Sequence, residues 1–311
     1  MAEGTAGEKA IDVTGVVKRY GDKTVVCDVD LSVRAGERMV LIGHNGAGKT
    51  TLMKLMLGLT HPDAGSVRVL GSNPATAAAE QRRAIGYLPE SVAFHSAMQG
   101  REVLAFYARL KGVSADECRS ILAQVGLDQA ADRRVSTYSK GMRQRLGLAQ
   151  AMLGKPRLLF LDEPTSGLDP SLRKQFYDLI DTLSLSGTTS LTSSHSLNEV
   201  EARADRIAIM KSGAIVACGT LAELSQQTDL PIVVRLRVTA NQASTVAERL
   251  AAMGDIHRVN DHGIELSCLG TGKMALFRQV AGLGEVIEDM DVLPPRLDDI
   301  YNHYMENQQP Q

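Results

Sequence analysis

The chain has 311 residues, 44% hydrophobic and 23% charged, a size and mix that suit one large α/β core plus a second small domain. Lys+Arg total 34 against Asp+Glu 36, and the formal net charge of -2 supplies no global field for nucleic acid or anionic lipid. Four scattered cysteines without a CxxC pair, no signal-peptide pattern at the start and no apolar run near the roughly 20 residues of a bilayer span predict a cytoplasmic chain that reaches a membrane only through a partner.

Residues 1–10 are small and polar and read as a flexible tail. Strands are expected at 11–17, 24–33 and 38–42, followed by a glycine-rich loop and a Leu- and Met-rich helix over about 48–59. A strand at 67–70, a helix at 75–84 and a strand at 85–88 come next. Between 100 and 131 the apolar positions Val103, Leu104, Phe106, Tyr107 and Leu110 recur at helical spacing, as do Ile121, Leu122 and Val125, which predicts an inserted helical subdomain.

A helix at 140–153 has Ser139 as its N-cap and Gly154-Lys155-Pro156 as its stop. Strand 158–161, helix 170–183, strand 190–193, helix 197–204 and strand 206–210 continue an alternation that implies a largely parallel sheet. Beyond residue 228 the order strand 232–238, helix 242–253, strands 257–259 and 264–268, helix 272–281, strand 285–290 and helix 295–305 reads as a ferredoxin-like βαββαβ unit with a final helix. The expected domains are therefore 11–228 and 229–311.

Gly43-His44-Asn45-Gly46-Ala47-Gly48-Lys49-Thr50-Thr51 contains GxxxxGK[ST] placed after a strand and opening a helix. Its backbone N–H groups and the helix N-terminus form an anion cradle, Lys49 reaches the β/γ-phosphates of a nucleotide, and Thr50 offers a hydroxyl to Mg²⁺. A plain glycine-rich turn is the alternative, and the strand–loop–helix context disfavours it. Leu158-Leu-Phe-Leu-Asp162-Glu163 is an apolar strand ending in two carboxylates at the edge where parallel sheets bind ligands. Asp162 suits a metal role and Glu163 the polarisation of an attacking water. His195 ends another strand and is delivered to the same edge.

Tyr138-Ser139-Lys140-Gly141-Met142-Arg143-Gln144-Arg145 resembles the signature motif of ABC ATPases. It precedes the Asp162-Glu163 strand, with Ser166-Gly167-Leu168-Asp169 and then His195 following. The resemblance covers about residues 11–224. It implies a phosphate-loop NTPase fold of the ABC cassette type, with a RecA-like core, an antiparallel β subdomain and a helical subdomain, joined here to a small C-terminal α+β domain. It further implies that Tyr20 stacks on adenine, that Asp169 lies in the loop joining two sites, and that His195 contacts the γ-phosphate.

The signature residues Ser139, Lys140, Gly141 and Met142 would act in trans, on ATP bound by the other chain of a homodimer that drives integral-membrane permease subunits. Lys140 and Met142 stand where many relatives carry Gly or Gly-like neutral residues, a version resembling bacterial drug, polysaccharide and ABC-2-type exporters. In Gly86-Tyr87-Leu88-Pro89-Glu90, Glu90 replaces the usual Gln, which leaves its role as an Mg²⁺ ligand open.

The run from Gly86 through Gly112 is similar to the ATPase of transporters that mature the copper centre of nitrous oxide reductase. That resemblance implies a periplasmic accessory protein reached through the permease, while an ABC-2-type exporter for another cargo is the alternative. Pro295-Arg-Leu-Asp-Asp-Ile-Tyr301 resembles the closing helix of ABC-2-type ATPases. A soluble ABC ATPase of translation or DNA repair would carry tandem cassettes or a long coiled-coil insertion, and the chain has neither. His257, His262, Cys268 and the 12 methionines lack a metal-ligand spacing and are read as structural.

Overall fold

A computed structural model describes residues 7–201 and 203–307, which fall into two compact units that divide between Cys218 and Gly219. In the first unit, strands β1 (Lys9–Tyr20) and β2 (Lys23–Arg34) form a long antiparallel hairpin. Strand β3 (Arg38–Ile42) leads into helix α1 (Lys49–Met56), and strand β4 (Ala64–Val69) returns to pair with β1. The resulting antiparallel sheet has the order β2-β1-β4.

Helix α2 (Ala79–Arg83) and strand β5 (Ile85–Leu88) precede two helices, α3 (Gly100–Lys111) and α4 (Ala115–Gln124). Helix α5 (Lys140–Met152) then runs into strand β6 (Leu158–Asp162). Helix α6 (Pro170–Leu185), strand β7 (Thr189–Ser194), helix α7 (Leu197–Val200) and strands β8 (Arg206–Lys211) and β9 (Ala214–Gly219) complete the unit. The central sheet has the order β5-β6-β7-β3-β8-β9, and the pairs from β5 to β8 are parallel. Every residue of β6 is buried, as befits a strand covered on both faces.

Val103 and Leu104 of α3, Ile121 and Leu122 of α4, and Leu146 and Met152 of α5 share one apolar core with Leu159 and Leu161 of β6. This core joins the helical region to the sheet. Lys111, in the last turn of α3, strengthens the join: its Nζ donates to Leu153 O at 2.9 Å and to Ile85 O at 3.2 Å. Burial pushes its pKa down to about 8, against a smaller opposing effect of Glu117.

The second unit starts with helix α8 (Leu221–Thr228), strand β10 (Ile232–Val238), helix α9 (Ala243–Leu250) and strands β11 (Asp255–Asn260) and β12 (Gly263–Cys268). It closes with helix α10 (Lys273–Ala281), strand β13 (Ile287–Leu293) and helix α11 (Leu297–Asn307). The sheet has the order β11-β12-β10-β13 with antiparallel pairs throughout. Val234 and Leu236 of β10, Val246 and Leu250 of α9, and Leu276 and Val280 of α10 make its core. On β11, His257 Nε2 lies 2.7 Å from Ser267 Oγ of β12.

Several expectations need correction. Lys9 and Ala10 belong to β1, and residues 1–6 of the expected tail lie outside the described residues. Helix α2 starts at Ala79 rather than at 75 because Asn73 Oδ1 accepts the Ala75 N–H and holds the chain in a turn. Helix α7 stops at Val200 rather than 204, and Ala202 of the expected helix lies outside the described residues.

Strand β9 and helix α8 were not anticipated. The small residues of Ala214–Gly219 give weak alternation, and α8 is a short helix built on a Thr220–Glu223 capping box. Its Leu224 is fully buried, and it packs against α11, where Tyr304 donates to Gln227 Oε1 at 3.3 Å. The division therefore falls at 218/219 and not at 228/229.

Candidate functional site

The loop between β3 and α1 owes its shape to glycines. Gly48 has φ 108°, in the left-handed region, and a Cβ there would come 2.6 Å from Val25 O. A Cβ on Gly43 would collide with Met210 O. Gly48 is also the N-cap of α1 and offers no side chain to the first-turn N–H groups, and that turn carries no acidic residue. These N–H groups and the helix dipole are thus left for an anion.

A cavity of about 400 Å³ opens beside this loop, lined by Asn45, Gly46, Ala47, Gly48, Lys49, Thr50 and Thr51, with Glu90, Glu163, Ser166, His195 and Val25 around them. Lys49 is 6% exposed; its Nζ donates to Gly43 O at 2.6 Å and lies 3.5 Å from Glu163 Oε1. Glu163 Oε2 is 2.7 Å from His195 Nδ1. Glu163 itself has φ 45°, a left-handed conformation that costs a non-glycine residue about 1 kcal/mol. The turn aims its carboxylate back toward Lys49.

Asp162 stands behind this surface, 1% exposed, with Oδ1 accepting a 2.6 Å hydrogen bond from Ser193 Oγ. Tyr87 of β5 is pushed up to about 12, chiefly by burial and further by the Asp162 and Glu90 carboxylates.

The other candidates lie outside the cavity. Gly43 and His44 form the entry to the loop, with their carbonyls facing Lys49. Tyr20 is exposed, with Lys18 Nζ 5.4 Å from its ring centroid. Asp169 caps α6, its Oδ1 accepting the Leu172 N–H at 2.9 Å. Ser139 caps α5 by accepting the Met142 N–H at 3.2 Å, a contact worth about 1 kcal/mol.

Gly141 packs close to Leu168 and Leu172, and Lys140 lies against Gly167, where a Cβ would meet its Nζ at 2.5 Å. The first turn of α5 is thereby packed on the 166–169 loop of the same chain. A recess of about 310 Å³ that shares Glu90 and Ser166 with the main cavity is lined by Lys140, Arg143 and Gln144.

Val25, Ser166 and Ser193 were not assigned to the site from the sequence. Ser166 could have been flagged by its place three residues after Glu163; the others carry no local signal. A larger cavity of about 770 Å³ lies within the second unit, lined mostly by apolar groups including Leu221, Leu230, Ile232 and Pro294. Lys273 and Asp229 also line it, but it has no GxxxxGK[ST] loop; the smaller cavity, where such a loop meets Lys49, Glu163 and His195, is the site with chemistry.

A glycine-built loop opening a helix, a buried lysine, and two acids at the end of a parallel strand define a phosphate-loop nucleotide triphosphatase of the ABC cassette fold. Comparison with known proteins agrees. The family model described as ABC transporter matches residues 26–166. The chain is 39% identical over 264 residues to the daunorubicin/doxorubicin resistance ATP-binding protein DrrA of Streptomyces peucetius, covering 83% of this chain and 80% of that protein. It is 35% identical over 305 residues to the daunorubicin resistance ATP-binding protein DrrA3 of Streptomyces coeruleorubidus, covering 95% of this chain and 96% of that one.

The fold matches the dimeric structure of a bacterial ABC transporter cassette, MJ0796, with TM-score 0.64 and 22% identity over 68% of this chain and 98% of that one. The chain belongs to the ATP-binding proteins of ABC transporters, resembles the drug-resistance type, and is an ATPase.

Proposed function

We propose that the chain is the MgATP-hydrolysing motor subunit of an ABC-2-type exporter, working as a head-to-tail homodimer docked on integral-membrane permease subunits. The observation that carries this reading is the convergence of Lys49, Glu163 and His195 on the cavity beside the first turn of α1. Lys49 and the N–H groups of the loop hold the phosphates. Glu163 orients and polarises the attacking water, and His195, at hydrogen-bond distance from it, keeps the carboxylate in place and faces the γ-phosphate.

The oxygen donors fit a hard cation: Thr50 and Glu90 line the cavity, and Asp162 lies just behind it with one carboxylate oxygen committed to Ser193. Mg²⁺ held there with the phosphates would neutralise charge on the transferring phosphoryl group.

The second half-site is the first turn of α5, where Ser139 and Gly141 head a 13-residue helix and meet ATP from the other chain. Tyr20, exposed on β1, supplies a face for adenine. Asp169 caps α6 in the loop packed on the signature turn, which supports a role for that loop in linking the two sites.

For the cargo, similarity to drug-resistance ATP-binding proteins along most of the chain favours an apolar, drug-like compound. The copper-enzyme maturation reading rests on the Gly86 to Gly112 stretch alone and brings with it a periplasmic partner. The test is phosphate release by the chain reconstituted with its permease in vesicles. Stimulation of ATP turnover by an apolar cationic drug supports export of such compounds. No stimulation, together with loss of nitrous oxide reductase copper loading on gene deletion, supports the other cargo. No MgATP hydrolysis in either setting overturns the motor assignment.

A further inference from the structure

Strand β7, Thr189-Ser-Leu-Thr-Ser-Ser194, is buried along its whole length yet contains a single aliphatic residue. A central parallel strand is normally rich in Val, Ile and Leu, and a buried hydroxyl costs free energy unless it is hydrogen-bonded. At the carboxyl end of the strand the hydroxyls are occupied. Ser194 Oγ accepts the Ser196 N–H at 3.0 Å, just before the short helix that follows His195. Ser193, which is fully buried, serves the two acids of β6.

Ser193 is the register partner of Asp162 in the parallel β6–β7 pair. Its Oγ accepts the Glu163 N–H at 2.9 Å, so its single proton is directed at Asp162 Oδ1, 2.6 Å away. Both bonds act on the point where the chain leaves the sheet. Glu163, at φ 45°, has turned its N–H out of the ladder, and only a side-chain acceptor in the next strand meets it. The same hydroxyl commits one oxygen of Asp162, so a cation held by this residue would take the other.

We infer that Ser193 is the positioning residue of this ATPase: one buried hydroxyl fixes both the turn that aims Glu163 between Lys49 and His195 and the rotamer of Asp162. Fully buried and outside the lining of the cavity, it acts through the two acids, so its contribution belongs to turnover and to the cation-dependent part of binding. The inference rests on the reading of this cavity as an ATP-hydrolysing site.

The test compares Ser193→Ala, Ser193→Cys and Ser193→Thr in the full-length chain. Steady-state hydrolysis should show kcat for Ser193→Ala reduced about 10- to 100-fold, the usual cost of removing a supporting contact behind a metal or catalytic group, with KM changed by less than about threefold. Ser193→Thr, which keeps the hydroxyl, should regain most of kcat. Ser193→Cys, which fills the space with a weak hydrogen-bonding group, should not.

In a Glu163→Gln background that removes turnover, affinity for a fluorescent ATP analogue should be unchanged by Ser193→Ala in EDTA, while the gain in affinity on adding Mg²⁺ shrinks. The inference is overturned if Ser193→Ala hydrolyses ATP like the wild type. It is equally overturned if Cys restores activity and Thr does not, or if affinity in EDTA falls as much as affinity in Mg²⁺, since either marks a packing role. A wild-type chain that fails to hydrolyse ATP would overturn the site reading instead, and the binding arm would still decide what Ser193 does.

Discussion

His195 Nδ1 and Glu163 Oε2 lie 2.7 Å apart, joining the ends of neighbouring parallel strands, while the other Glu163 oxygen faces Lys49 Nζ at 3.5 Å. The carboxylate is thus restrained from two sides, although buried Oε1 makes no hydrogen bond. A bound phosphate and water would enter between groups already placed, which limits the reorganisation needed at the moment of reaction.

Glu163→Gln is expected to bind MgATP and to hydrolyse it about 10²- to 10⁴-fold more slowly, the range for removal of a general base. Uncleaved ATP should then hold two chains together through the Ser139 turn of the opposite copy, and a second substitution, Ser139→Ala, should loosen them. Gel filtration with light scattering, with and without MgATP, checks this. A monomer with nucleotide bound would place dimer formation with the permease.

Lys49→Ala removes a buried cation that holds the loop through Gly43 O and faces Glu163. Charge-assisted bonds of this kind contribute about 1.5–3 kcal/mol, so nucleotide affinity should fall at least tenfold. Equilibrium binding of a fluorescent ATP analogue measures it, and wild-type affinity would refute the assignment of the phosphate site.

Glu90→Gln should keep substantial activity, since the amide retains an oxygen directed at the cavity that Glu90 lines. Abolished hydrolysis would show that the carboxylate charge itself is required. Either result is read from phosphate release at saturating MgATP.

Lys111→Met should destabilise the cassette by about 1–3 kcal/mol, because two carbonyls, Leu153 O and Ile85 O, lose their donor. Its effect also depends on pH. The folded-state pKa is lowered from 10.5 to about 8, so between those values the unfolded chain binds more protons and wild-type stability rises with pH. The extra stability is complete above 10.5 and lost as pH falls through about 8. Denaturation of both proteins at pH 7 and pH 10 should therefore show the gap widening in alkali; a constant gap would contradict the lowered pKa.

Truncation after Gly219 should leave a folded, nucleotide-binding cassette, whereas truncation after Asp229 leaves α8 without α11 and exposes Leu224. The longer fragment should aggregate more readily despite its extra residues. Circular dichroism and sedimentation of the two fragments compare them directly.

What the sequence by itself determined was local chemistry. The glycines at 43, 46 and 48 with Lys49 and Thr50, the apolar run closing on Asp162-Glu163, and the Ser139 cap each encode a short backbone geometry that residue type dictates within a few positions. Their order along the chain named the cassette and the edge of the sheet that carries the site. Only the tertiary structure decided what depends on neighbours far apart in sequence. Register between β6 and β7 set Ser193 against Asp162, and packing of α3 on the sheet brought Lys111 to Ile85 and Leu153. The partnership of α8 with α11 moved the division between the units to residue 218. A serine in a strand of hydroxyls and a lysine at a helix end look alike in any sequence; long-range pairing alone commits such a group to a particular acid or carbonyl, because the cost of burying it must be met by whatever the fold places opposite.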